Sequence, residues 1–280
     1  MTHDVRGRAL VLGGGGVTGI AWMIGVLTGL QREGVDLTDA DTVIGTSAGS
    51  VVGAQLTSGQ RLEDLYAGQL EVADRAIGGQ LGLTFLLQMG ARIVLPGSAR
   101  TRRRRLGRGA LRAHPGSAEH RVEVIRQGIG IDEWPERDLR VTAVDARTGR
   151  FLVLDRDAGV PVEYAVAASC SVPFVWPPVE WDGTRYIDGG MRSAANVDLA
   201  TGAERVVVLA PLVRAFSKDT RPERQLARTG ATHTALVSPD RDALVAIGKN
   251  VLDADRRGGA AQAGLRQSAD VLDEVRRAWG

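Results

Sequence analysis

Residues 13–27 read GGGGVTGIAWMIGVL. Glycine loses more conformational freedom on folding than any other residue, so four in a row are kept where the backbone turns tightly or where something approaches it closely. Before them, residues 8–12 (RALVL) form a short apolar run; after them, residues 19–30 are apolar almost all round, and Gly34 offers a stop. Together these pieces predict a buried strand, a tight turn and a buried helix. The arrangement recurs at residues 42–45 (TVIG), which run into GTSAGS and then into the small-residue segment SVVGAQLTSG. Further β-branched runs at residues 139–146, 150–155, 185–188 and 205–211 predict strands. Strands alternating with helices predict an α/β fold, a three-layer sandwich around a central, mostly parallel sheet. Leu244, Ile247, Val251 and Leu252, then Leu265, Ala269, Leu272 and Val275, have helical spacing and predict two helices in residues 240–280.

The chain has 280 residues, of which 44% are apolar, enough for one sizeable core. No linker or repeat divides it, so a single domain over residues 1–280 is expected. The net charge is only +2, and the pI near 9.0 reflects a slight arginine excess that does not indicate a nucleic-acid-binding protein. One cysteine, Cys170, allows no intramolecular disulfide and reads as a buried small residue. No apolar segment of signal-peptide length precedes the glycines, and no uninterrupted apolar run is long enough to span a bilayer, so a cytoplasmic protein is expected. Residues 74–120 stand apart as an insertion, in which QLGLTFLLQMGARIVLPG is followed directly by SARTRRRRLGRGALRAHPGS.

Two readings compete for the glycine turn. Gly14, Gly16 and Gly19 satisfy G-x-G-x-x-G, the dinucleotide-binding fingerprint, which requires a carboxylate at the C-terminal end of the second strand. The nearby acids Asp36, Asp39 and Asp41 all precede that strand, and GTSAGS occupies the place where the carboxylate would stand. GTSAGS itself matches G-x-S-x-G at Gly45, Ser47 and Gly49, set between a strand and a helix as in a nucleophile elbow. Ser47 there would sit at a helix N-terminus, where the positive dipole end favours the negative charge of acyl transfer; the alternative is an N-capping serine in a glycine-rich turn. A serine nucleophile needs a base, yet none of His3, His114, His120 and His233 sits at the end of a predicted strand; His3 is terminal, and the middle two fall in the insertion. TRYIDGG, residues 184–190, instead ends a strand in Asp188 followed by two glycines, a carboxylate that could face Ser47 or simply open a turn.

GGGGVTG, GTSAGS and YIDGG, in this order, resemble the patatin-like phospholipase family, as does ASCSVP at residues 168–173. The resemblance spans roughly residues 8–211. It implies a patatin-like α/β sandwich and hydrolysis of lipid carboxylic esters by a Ser-Asp dyad, with no cofactor and no metal. Ser47 is then the nucleophile, Asp188 the base, and Gly14, Gly15 and Gly16 the oxyanion hole. Two departures stand out. Thr18 occupies a position where many members carry Lys or Arg, and MRSAANVDLA brings Asn196 and Asp198 after the D-G-G without the Asn-x-Pro of many members. A catalytically silent lipid-binding relative and a Rossmann-type nucleotide-binding protein remain the alternatives.

Arg102, Arg103, Arg104 and Arg105 adjoin an apolar stretch, a combination suited to peripheral contact with an anionic lipid surface, or to a solvated basic loop beside a buried helix. No aromatic residues interleave the run, which argues against nucleic acid as a partner. Trp176, Pro177, Pro178 and Trp181 predict a rigid loop before the Asp188 strand, by core packing or as a wall of the acyl pocket.

Overall fold

The computed structural model describes residues 5–71, 95–114, 116–212 and 217–280. His3 and residues 80–94 of the expected apolar insertion lie outside the described residues. The opening stretch folds as expected: β1 (Arg8–Leu12), the glycine turn, then α1 (Gly16–Arg32). After it come β2 (Thr42–Gly45), α2 (Ala48–Thr57), α3 (Leu62–Leu70), α4 (Ala99–Ala113) and α5 (Glu119–Ile129). The second half contains β3 (Asp138–Asp145), β4 (Phe151–Leu154), α6 (Val162–Ser169), β5 (Val179–Trp181), β6 (Thr184–Asp188) and β7 (Arg205–Leu209). It closes with α7 (Pro222–Leu226), β8 (His233–Val237), α8 (Arg241–Ile247) and α9 (Arg257–Trp279).

Strands β3, β2, β1, β7 and β8 are parallel neighbours in that order. Strand β1 is buried on both faces, as a central parallel strand must be. Its alternate residues enter different cores: Leu10 and Leu12 pack beneath α1 and α2, whereas Ala9 and Val11 pack on the other face with Val206, Val208 and Val197. This period of two puts an apolar layer on each side of the sheet, giving the three-layer sandwich.

The register of β3 positions the site. On one edge it pairs with β4 through Val141–Val144. The other edge is divided, with parallel β2 along the first half as far as Gly45↔Val141, and antiparallel β6 along the second half beginning at Asp188↔Ala143. The C-terminal ends of β2 and β6 therefore meet head to head. The strand after the tryptophan loop, β5, and the strand His233–Val237, β8, were not evident in the sequence, because one is only three residues long and the other opens on exposed polar residues.

The arginine run differs from the expected loop, because residues 99–113 are helical. Ser98 caps α4 by accepting the Thr101 N–H at 3.2 Å, and the small or apolar residues Leu106, Gly107, Gly109 and Ala110 bury one face. Arginine is itself a good helix former; of the run Arg104 is exposed, while Arg102, Arg103 and Arg105 are half-buried, Arg103 donating its Nε to the Gly149 carbonyl at 2.9 Å. Of the two C-terminal helices expected, the first ends at Ile247, leaving Val251 and Leu252 in a loop, and the second is the 23-residue α9.

Helices α1 and α9 pack through a seam of small residues. A Cβ on Gly25 would lie 2.1 Å from the Ala261 carbonyl oxygen, and one on Gly264 would lie 2.2 Å from that of Trp22. The indole of Trp22 donates to Gln267 at 2.9 Å within this seam. Gly259, also in α9, is exposed and meets nothing. The two glycines should therefore respond oppositely. Gly25→Ala is expected to destabilise the protein by about 2 kcal/mol through overpacking, and Gly259→Ala to stabilise it by roughly 0.5–1 kcal/mol through helix propensity. Urea midpoints decide this, and a stabilising Gly25→Ala would contradict the seam.

Candidate active site

Ser47 stands between β2 and α2 with φ +52°, a left-handed conformation unusual for a residue with a side chain. The strain is imposed by close packing. A Cβ on Gly49 would come within 1.9 Å of the Leu12 carbonyl oxygen, and one on Gly45 within 2.5 Å of Ser50 Cα, so the turn lies directly against its neighbours. Its hydrogen bonds are complete: the Ser47 N–H donates to the Ser169 hydroxyl at 2.8 Å, and the Ser50 hydroxyl donates to the Ser47 carbonyl at 2.7 Å. Ser169, in the ASCSVP segment, thus holds the elbow, and the next serine, Ser171, accepts the Asp188 N–H at 3.0 Å.

Asp188 ends β6 and is 2% exposed. Burial pushes its carboxyl up to about 7 from an ordinary 3.8, opposed by the neighbouring Ser47 hydroxyl and by the hydrogen bond from the Gly190 N–H. The Gly190 bond is 2.6 Å long. The head-to-head ends of β2 and β6 thus bring the two residues together, 141 positions apart in sequence. A buried polar lattice holds them there. The Thr142 hydroxyl donates to Thr46 Oγ1 at 2.9 Å, and Asn196 Nδ2 donates to the same oxygen at 3.0 Å. Asn196, itself at φ +51°, receives Arg192 on its Oδ1 at 2.7 Å, and Arg192 also pairs with Asp198. The loop that lacks the proline is therefore held by side-chain bonds.

The glycine turn lies beside Ser47. The Gly14 N–H donates to the Ala194 carbonyl at 2.7 Å, which fixes the turn, while the Gly15 and Gly16 N–H groups have no acceptor among the described residues. A Cβ on Gly15 would lie 2.5 Å from Pro211, and Gly16 has φ +60° with Val251 O closing on it, so side chains are excluded here. Thr18, which departs from the Lys or Arg of many patatin-like sequences, is buried and ties its N–H and hydroxyl to the Val251 carbonyl at 3.1 and 3.2 Å.

Gly14, Gly15, Gly16, Ser47 and Asp188 all border one largely apolar cavity of about 500 Å³. None of the described histidines, His114, His120 and His233, is on its wall. Cys170 is, but burial pushes its thiol up to about 12, which keeps it protonated and unreactive. Trp176 also lines the cavity, whereas Trp181 packs against Tyr164 with ring centroids 4.7 Å apart. Sequence reading missed Arg121 and Gln55, two polar side chains on the wall. Arg121 Nε and Nη1 and Gln55 Oε1 are shut off from solvent and have no partner among the described residues.

With this geometry established, the comparisons give the context. The patatin-like phospholipase family profile matches residues 10–201. The chain belongs to this family. It is 26% identical over 215 residues to the lysophospholipase nte1 of Aspergillus niger, a match covering 77% of this chain but only 12% of that protein's length. Among solved structures it is similar to VipD of Legionella pneumophila (TM-score 0.48, 12% identity, covering 97% of this chain and 67% of that one). It is also similar to the type III effector ExoU of Pseudomonas aeruginosa (TM-score 0.44, 14% identity, covering 96% and 53%). No described helix is long and apolar enough to cross a membrane.

The buried carboxyl carries a consequence for stability. Its affinity for protons is higher in the folded than in the unfolded chain, so folding is favoured most below pH 4 and loses stability as pH rises through about 7. The full cost of ionisation has an upper bound of roughly 4 kcal/mol at 1.36 kcal/mol per pKa unit. Asp188→Asn cannot ionise. The variant is expected to be more stable than the parent at pH 8, with the gap closing towards pH 4 in urea titrations; a gap independent of pH would contradict a buried, titrating Asp188.

Proposed function

We propose that this protein is a serine acyl hydrolase that cleaves carboxylic esters of lipids through a Ser47–Asp188 dyad. Membership of the patatin-like phospholipase family supports hydrolysis of lipid acyl esters, and the named activity of its fungal relative, a lysophospholipase, points to the same bond. The observation that carries the finer reading is the desolvated Asp188 carboxyl sharing the edge of one apolar cavity with a serine held in a strained conformation.

In this reading, ionised Asp188 takes the Ser47 proton as the hydroxyl oxygen attacks the ester carbonyl carbon. The carbonyl π electrons move onto oxygen, which the glycine turn receives. Gly14 shapes that turn, and Gly15 and Gly16 supply the uncommitted N–H donors. Collapse expels the alcohol with the proton returned by Asp188, and water activated by the same carboxylate then cleaves the acyl-serine. A base near 7 suits this work, since a carboxylate at its ordinary value would be too weak to draw a proton from serine. The apolar wall receives the acyl chain. The basic helix α4 offers Arg102, Arg103, Arg104 and Arg105 as a peripheral contact with an anionic lipid surface.

Hydrolysis of a p-nitrophenyl acyl series tests this reading. Ser47→Ala and Asp188→Asn are each expected to lower kcat/KM by at least about 1,000-fold. The parent's rate is expected to rise with pH through about 7 as Asp188 ionises. Parent rates no greater than those of the variants would leave a silent lipid-binding protein.

A further inference from the structure

Arg121 is the charged member of the two side chains on the cavity wall, with Gln55, that carry buried polar atoms without a partner among the described residues. It lies on α5, whose Arg121, Val124, Ile125 and Gly128 face the cavity at positions i, i+3, i+4 and i+7. Its guanidinium stacks over Trp176 at 4.2 Å from the ring centroid, which holds its plane. Among the described residues, neither Nε nor Nη1 has an acceptor and no carboxylate lies within ion-pair distance. Other arginines out of full contact with water are satisfied: half-buried Arg192 by Asp198 and Asn196, and buried Arg140 by Asp138. Burial pushes the Arg121 pKa down, yet a guanidinium stays charged at neutral pH. A permanent charge shielded from water with two idle donors is costly unless an anion completes it.

We propose that Arg121 is an anion subsite that receives a phosphodiester oxygen of the substrate and so selects acyl esters of phosphate-bearing lipids over neutral acylglycerols. The proposal rests on the cavity being the acyl-ester site. Arg121 adds a positive charge from α5 to a wall that also carries exposed Lys249 and half-buried Arg257, the latter bonded to Gln69 and Gly68. Stacking on Trp176 fixes the orientation of the charge, while the apolar remainder of the cavity is left for the chain. Arg121 acts as a specificity residue and exchanges no proton.

The test compares lysophosphatidylcholine with a monoacylglycerol bearing the same acyl chain, using the full chain, Arg121→Gln, Arg121→Lys and Ser47→Ala. Arg121→Gln is expected to lower kcat/KM on lysophosphatidylcholine by roughly 10- to 100-fold, chiefly through KM, the range for a hydrogen bond to a charged group. Monoacylglycerol hydrolysis should change by less than about threefold, which also shows that the variant is folded. Arg121→Lys should recover part of the selectivity. Equal losses on both substrates would overturn the subsite while leaving the dyad intact; undiminished turnover by Ser47→Ala would instead sink the dyad. A second measurement is independent of turnover. Glycerophosphocholine should raise the melting temperature of the parent and not that of Arg121→Gln, and equal shifts would overturn the proposal. If Arg121→Gln abolishes inhibition by oleate and leaves phospholipid selectivity unchanged, Arg121 binds a carboxylate and the phosphodiester assignment falls.

Discussion

The account depends on a carboxyl group taken out of water at the rim of the cavity that Ser47 also borders. Asp188 would be more stable ionised at the surface, and burial holds it near neutrality instead. The fold can impose this because β3 shares one edge between two strands: β2 runs out at Val141, β6 begins two residues later at Ala143, and the ends of the two strands are aimed at each other. The chain segments after them, one carrying Ser47 and the other the two glycines, have little room to diverge. Thr46, Thr142 and Asn196 fasten them together through a single shared hydroxyl oxygen.

The strain at Ser47 belongs to the same arrangement. A serine at φ +52° persists only where its surroundings determine it more strongly than its own preference does. Here β1 presses on Gly49, Ser169 takes the Ser47 N–H, and Ser50 takes its carbonyl. The segment residues 168–173 thus serves both partners, holding the elbow with Ser169 and the Asp188 backbone with Ser171. The large apolar core below, centred on α1 and its glycine-mediated contact with α9, provides the rigidity against which these small bonds act.

Much of this was legible in the sequence because its signals are local. A strand, a glycine turn and an all-apolar helix can be read from residues 8–30 alone, and both Ser47 and Asp188 announce themselves by the glycines beside them. The divided edge of β3 could not be read, since register is decided by partners far away in the chain. For the same reason, Asn196 and Asp198 looked like a departure from pattern, when they are the bonds that hold the loop. Arg121 gave no signal: an arginine in EHRVEVIRQGI reads as the solvated side of a helix, and only tertiary packing turns it towards a cavity beside Trp176. The arginine run misled in the other direction, because its charge hid the apolar stripe of Leu106, Gly107 and Ala110 that docks α4.

Covalent capture of the nucleophile tests the central claim most directly. A fluorophosphonate probe, followed by peptide mapping, is predicted to modify Ser47 alone, at a rate that climbs as pH passes about 7 and collapses in the protein lacking the Asp188 carboxylate. An adduct on any other serine, or a rate on Ser47 indifferent both to pH and to Asp188, would contradict the account.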